Sequence, residues 1–135
     1  MAERLEVHLV TPQREVWSGE GTLVVARGTE GELGVQKGHM PMLIRLDVGV
    51  LRVLRGNEEL LKAVVDGGFM HVTTSPELTR VDVLADDAEF AHEIDVRAAE
   101  QARADAEARI ERGDNDRAEV DLRRAMVRLS TAAGD

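Results

Sequence analysis

Apolar and polar residues alternate along the first part of the chain with the two-residue period of a half-buried strand. Leu5, Val7 and Leu9 fall on one face, and Glu6, His8 and Val10 on the other. Gly21 to Arg27 carries a β-branched centre at Val24 and Val25, which favours an extended backbone. Val48 to Leu54 is apolar on both faces and suits a strand covered on both sides. Leu60 to Val65, Gly68 to Thr73 and Leu78 to Leu84 continue the series. Gly56-Asn57, Asp66-Gly67-Gly68 and Ser75-Pro76 punctuate it as turns. Short strands with closely spaced turn signals predict an antiparallel sandwich or barrel.

The pattern changes near Asp86, where glycines thin out and helix formers take over. Asp95 is placed to cap a helix over Val96–Arg112, and Gly113 to end it. Asp114, Asn115 or Asp116 is placed to cap a second helix reaching about Ser130. So short a link predicts an antiparallel hairpin. Its seam is thin: Ala98, Ala102, Ala106 and Ile110, with Ala99 beside them, face Ala118, Leu122, Met126 or Ala125, and Leu129. Alanine favours helix but has little side chain to bury, so the hairpin reads as intrinsically helical and modestly attached. A segment that moves as a unit and a static surface hairpin both fit that pattern. The expected division is 1–86 for the β domain and 87–135 for the helical one.

Composition narrows the function more than the fold. The chain has 135 residues, no cysteine and a net charge of −9. Phosphates would be repelled, and Trp17, Phe69 and Phe90 are the only aromatics available to stack on bases, so nucleic acid is not an expected partner. No apolar run approaches the roughly 18 residues of a membrane span, and the opening residues MAERLEVHLV lack the apolar stretch of a signal peptide. Direct membrane insertion is therefore not expected. Without cysteine there is no thiolate nucleophile or thiolate metal site, and His8, His39, His71 and His92 stand singly rather than at ligand spacing. Neither a phosphate-cradling GxxxxGK[ST] nor a GxSxG is present. The expectation is a protein that is not an enzyme, has no metal and no catalytic residues, and works by contact.

The densest local signal is Gly28 to Pro41, with glycines at 28, 31, 34 and 38. It reads as a shaped connection, either purely structural or presenting Glu30, Glu32 and His39 to a partner.

Several ordered motifs carry a resemblance. They are Gly31-Glu32-Leu33-Gly34-Val35, Gly38-His39-Met40-Pro41, Asp66-Gly67-Gly68-Phe69, Val83 to Glu89, and Leu122 to Ser130. Together they resemble the epsilon subunit of bacterial F-type ATP synthase over nearly the whole chain. The resemblance implies an α+β fold: an N-terminal antiparallel β-sandwich followed by a C-terminal antiparallel two-helix hairpin. It implies a non-catalytic place on the central stalk, peripheral at the cytoplasmic face of the plasma membrane. The sandwich would dock on the gamma subunit and on the c-subunit ring, with Glu32, Gly31, Gly34 and His39 at or beside the ring contact. The hairpin would be regulatory, extending to the alpha and beta subunits of the catalytic head and hindering ATP hydrolysis, with Arg117, Arg124 and Arg128 as the cations involved.

Some proteins of this kind bind ATP at the folded hairpin, and the alternative reading is an ATP-sensing module using Glu89, Asp95, Arg124 and Arg128. The run Ile94-Asp95-Val96-Arg97-Ala98 places its arginine one residue early. At 100° per residue Arg97 lies about 200° from Asp95, with Ala98 where the arginine would stand. Asp95 thus has two readings, helix cap or nucleotide ligand. ATP is the only regulatory ligand implied, and no cofactor is required.

Overall fold

The structure is a computed structural model and describes residues 4–134. Ten strands precede two helices. In chain order the strands are β1 Leu5–Val10, β2 Glu15–Gly21, β3 Leu23–Gly28, β4 Gly31–Val35, β5 Met42–Arg45, β6 Gly49–Arg55, β7 Glu58–Val65, β8 Gly68–Thr74, β9 Thr79–Ala85 and β10 Ala88–Phe90. A 3-10 turn at Ala91–Glu93 leads to α1 Val96–Glu111 and α2 Ala118–Ala132.

The strands form two five-stranded sheets. Sheet A has the order β2-β1-β9-β8-β5, and sheet B the order β10-β7-β6-β3-β4. Every pairing is antiparallel except β1 with β9, which run side by side in the same direction. Parallel neighbours need a long connection; here it is the rest of the sandwich. The inner faces bury Leu5, Val7 and Leu9 of β1 against Leu51, Val53, Met70, Val72, Val81 and Val83. The period-two pattern of β1 is therefore a correct guide to its orientation.

Four strands lie outside the runs that alternation picks out. β2 is a polar, glycine-bearing edge strand, and a bulge between Leu9 and Val10 interrupts its register. An edge strand with one wet face needs little apolar sequence. β4 falls inside the glycine-rich segment, which is not one continuous loop. Gly28 pairs with Gly31 across the two-residue turn Thr29-Glu30, and only residues 36–41 form an open connection. β5 and β10 are short edge strands of four and three residues. At Gly68 the backbone has φ of 103°, and a Cβ would run into the Leu84 carbonyl oxygen, so the β7–β8 turn requires glycine.

Asp95 caps α1 by accepting the Ala98 N–H at 3.1 Å. Gly113, at φ of 81°, ends it, with Asp114 N–H donating to the Arg109 carbonyl at 2.8 Å. The second cap differs from expectation. None of Asp114, Asn115 and Asp116 caps α2; Arg117 occupies that position in a left-handed conformation at φ of 61°, without a side-chain cap bond. The turn is closed instead by Ala118 N–H on the Asn115 carbonyl, which delays the helix start.

α1 packs on α2, and it is α2 that meets β6, β7 and the 3-10 turn. The seam is centred on Ala99 and Ala106 of α1 and Ala118 and Ala125 of α2, all fully buried. Ala98 is exposed, and Met126 is 54% exposed, so Ala125 takes the seam position. On sheet B, Val64 points away from the core yet is buried, covered by α2.

Candidate functional site

Three arginines of α2 reach three carboxylates of the sandwich, which runs past the expected division at residue 86 because β10, at Ala88–Phe90, adds an edge strand beside β7. Arg123 Nη2 lies 2.9 Å from Asp47 Oδ1, in the β5–β6 connection. Arg124 Nε lies 2.6 Å from Asp66 Oδ2, in the β7–β8 turn. Arg128 grips Glu89 of β10 through two bonds, Nε at 2.9 Å and Nη2 at 3.2 Å. A second set of bonds stiffens the hairpin itself. Arg109 of α1 donates to Asp121 of α2 at 2.6 Å, and Arg124 Nη1 donates to the same carboxylate at 3.1 Å. The hydrogen bond from Arg109 holds the Asp121 carboxyl below the usual carboxylate range, with the Arg109 and Arg124 charges reinforcing it. The Asp66 hydrogen bond raises the Arg124 guanidinium further, so it remains charged.

These groups frame a cleft of about 450 Å³ between α2 and the edge of sheet B, lined by Val64, Asp66, Asp87, Glu89, Arg124 and Arg128, among others. Of the residues expected to hold ATP, Glu89, Arg124 and Arg128 come together here. Asp95 does not line the cleft and is engaged as the α1 cap. Both cleft guanidinium groups already have carboxylate partners, so a triphosphate would have to displace them. Arg117 stands exposed at the hairpin turn, apart from Arg124 and Arg128.

The other expected contact splits between two ends of the sandwich. Glu32 is exposed on β4, opposite Arg27, one residue beyond Gly31. Gly34 is exposed on the same strand. His39 lies beyond the far end of β4, in the 36–41 connection. Thr74 Oγ1 donates to the His39 carbonyl at 2.6 Å, and Gly38 N–H donates to Thr79 Oγ1 at 2.8 Å. Gly31 sits instead beside the Gly28–Leu46 bridge at the opposite end. Gly31, Glu32 and Gly34 thus share one strand, and His39 does not join them.

The outer face of sheet A holds a feature not read from the sequence. Cross-strand register sets Val10, Leu84, Phe69 and Arg45 in one row over β1, β9, β8 and β5. Phe69 and Leu84 are 42% and 47% exposed, and Leu43 beside them 65%. Arg45 lies over the Phe69 ring, 5.7 Å from its centre. Leu43, Phe69 and Leu84 are apolar on the wet side of alternating strands, a signal visible in the sequence once strand phase is known.

Among the described residues no cluster of three or more His, Cys, Asp or Glu is arranged to hold a metal ion, and no helix is long and apolar enough to cross a membrane.

Among the described residues the architecture is a ten-stranded sandwich carrying an ion-paired helical hairpin, the two-part class of protein with a β-sandwich followed by long helices. The chain belongs to the ATP synthase delta/epsilon chain family: the beta-sandwich domain of that family matches residues 4–91 and its long alpha-helix domain residues 92–133. The ATP synthase epsilon chain of Thermobifida fusca is 47% identical over 135 residues, covering 98% of this chain and 96% of that one. The epsilon chain of Streptomyces avermitilis is 42% identical over 132 residues, covering 95% and 100%. Epsilon chains are non-catalytic subunits of that complex. The fold is also that of a chain in the Euglena gracilis mitochondrial ATP synthase, with a TM-score of 0.82 at 24% identity over 98% of this chain and 82% of that one.

Proposed function

We propose that this chain is an epsilon-type central-stalk subunit of a proton-translocating ATP synthase, coupling rotation of the c-ring to the catalytic head and restraining ATP hydrolysis through its helices. It works as a peripheral subunit at the cytoplasmic face of the bacterial plasma membrane. The gamma subunit docks on the outer face of sheet A, where the Val10–Leu84–Phe69 row leaves apolar area in water that a partner would cover. The β3–β4 hairpin meets the polar loops of the c-ring, with Glu32 the charged group and Gly31 and Gly34 shaping its strand.

The observation that carries the regulatory part is how the hairpin is fastened. Its principal polar ties to the sandwich are Arg123–Asp47, Arg124–Asp66 and Arg128–Glu89. Ion pairs at this exposure each contribute little, about 0–1 kcal/mol. An acidic surface on the alpha and beta subunits can therefore compete for the same arginines, with Arg117 already exposed. Deleting residues from Glu93 onward in the assembled enzyme tests this: ATP hydrolysis should rise. Unchanged hydrolysis rejects the inhibitory role and leaves coupling standing, whereas failure of the full chain to associate with gamma rejects the stalk reading.

A second reading rests on the cleft at Glu89, Arg124 and Arg128, where four carboxylates (Asp66, Asp87, Glu89 and Glu93) outnumber the two guanidinium groups, so a nucleotide phosphate could be held only by arginines freed from their carboxylate partners. ATP would then act as a regulatory ligand that replaces the Asp66 and Glu89 ties. Calorimetry with millimolar ATP on the full chain decides it, and the absence of heat rejects it.

A further inference from the structure

Beside the apolar row on sheet A lies a charged group that the docking reading does not use. His8 of β1 is held between two carboxylates, Nδ1 at 2.8 Å from Glu15 Oε1 of β2 and Nε2 at 2.6 Å from Glu6 Oε1 of its own strand. A neutral imidazole has one N–H, and a carboxylate can only accept. Both contacts are made together only when the site holds an extra proton, and imidazole is the more basic partner. The geometry therefore describes an imidazolium. The two hydrogen bonds, Glu15 first and Glu6 second, raise His8 above the ordinary 6.5, against burial and the charge of Arg80.

The neighbours make the consequence of losing that proton unequal. On β9, Arg80 binds both oxygens of Asp82 at 3.1 Å and reaches Glu6 at 3.4 Å. Glu6 thus keeps a cation when His8 is neutral. Ser18 is the register partner of His8 on β2, and Asp82 its partner on β9, with His71 beyond it on β8. Glu15 has no other ion-pair partner among the described residues, and its side chain is half exposed.

Glu15 also sits at a mechanical junction. It pairs with Val10 just past the bulge between Leu9 and Val10. The turn that follows is closed by mutual backbone bonds between Thr11 and Arg14. Val10, Thr11 and Pro12 form one wall of a shallow cleft of about 320 Å³ whose other wall is Phe69 and Leu84. We propose that His8 is a proton-operated clamp on this docking face: as imidazolium it donates to Glu6 and Glu15 together and ties Glu15, at the foot of the β1–β2 turn that walls the apolar cleft, and on losing its proton it keeps a single N–H for the two carboxylates and ceases to be the cation beside Glu15. The sign follows from the raised affinity for the proton. The clamp is fully present below the ordinary imidazole range and is lost as pH rises through the raised value. The consequence for gamma rests on the docking reading above, whereas the clamp itself does not.

The test is a titration of the full chain by NMR from about pH 5.5 to about pH 8.5, the range that brackets imidazole, following the His8 ring and the amides of residues 11–16. The amides should shift with the His8 midpoint, that midpoint should fall in Glu15→Gln, and the amide shifts should vanish in His8→Gln. Amides that ignore His8, or that titrate unchanged in His8→Gln, overturn the clamp. Gamma affinity on either side of the midpoint tests the consequence: the unmodified chain should bind several-fold more tightly at the acidic side and His8→Gln should not discriminate. An equal pH dependence in both overturns the coupling. If gamma binds at neither pH, the docking reading fails, while the amides still decide the clamp.

Discussion

Arg124 of α2 donates to Asp66 at 2.6 Å, joining the second helix to a turn fifty-eight residues earlier in the chain. The same guanidinium also holds Asp121 on its own helix. One residue thus fastens the hairpin internally and externally. Replacing Asp66 with Asn should loosen α2 by about 1 kcal/mol, the scale of a partly exposed ion pair. Hydrogen exchange in α2 should speed up while β1 and β9 stay protected. Raised salt should produce the same change in the unmodified chain, because screening weakens such pairs. Equal protection of α2 in Asp66→Asn would remove the pair from the account of docking.

Asp121 makes a pH prediction of opposite sense to His8. Its carboxyl is held low by Arg109 first and Arg124 second. Its contribution is present above the ordinary value of 3.8 and is lost as pH falls through the lower value in the folded chain. Asp121→Asn should abolish that acid-side loss in the hairpin and cost no more than about 1 kcal/mol at neutral pH. Helical ellipticity between neutral and acid pH is the measurement, and an unaltered acid limb would show that other carboxylates set it.

Gly68 makes a conformational prediction. Any side chain there meets both a left-handed backbone and the Leu84 carbonyl. Gly68→Ala should cost at least about 2 kcal/mol, combining strain with steric displacement. Thermal unfolding would show it as a lowered Tm of the sandwich. Gly56→Ala is the comparison, since φ there is 62° but nothing lies near the added carbon, and its cost should be smaller.

Much of this was legible in the sequence, for local reasons. Leu5, Val7 and Leu9 announce their face because alternation alone decides it, and Asp95 and Gly113 mark the ends of α1 because capping is a short-range matter. β2 was not legible, since Trp17 and Val16 sit at a bulge and break the alternation. The start of α2 was misplaced because Arg117 adopts a left-handed conformation that its side chain does not advertise. Arg124 and Arg128 were visible as candidates, but Asp47 and Asp66 were not, because loops far apart in the chain bring them to the helix. The resemblance sets His39 beside Glu32 at one contact, and the direction of β4 carries the two residues toward opposite ends of that strand.

Glu32 should separate binding from stability. It is exposed and forms no ion pair among the described residues. Glu32→Lys should therefore change unfolding free energy by less than about 0.5 kcal/mol. If the β3–β4 hairpin meets the c-ring, the same change should weaken association of a gamma–epsilon pair with the ring, since it replaces attraction by repulsion. Unchanged association would move the ring contact away from this strand.

The alanine seam yields the sharpest structural test, because the chain carries its own reporters. Ala106 is fully buried between α1 and α2, where the small side chain lets the helices approach. Ala106→Leu adds volume that this seam cannot absorb, at a cost of about 1–3 kcal/mol. Trp17, the only tryptophan, packs against the sandwich core and shares a cleft with Leu60, Phe90 and His92, so it reports on the sandwich up to the 3-10 turn and not on the α1–α2 seam itself. If the hairpin is a separate unit, helical ellipticity in Ala106→Leu should melt at lower temperature while Trp17 fluorescence keeps its midpoint. A common shift of both signals would mean that the domains unfold as one, and a hairpin that cannot come apart independently would be a poor device for exchanging Asp66 and Glu89 for another acidic partner.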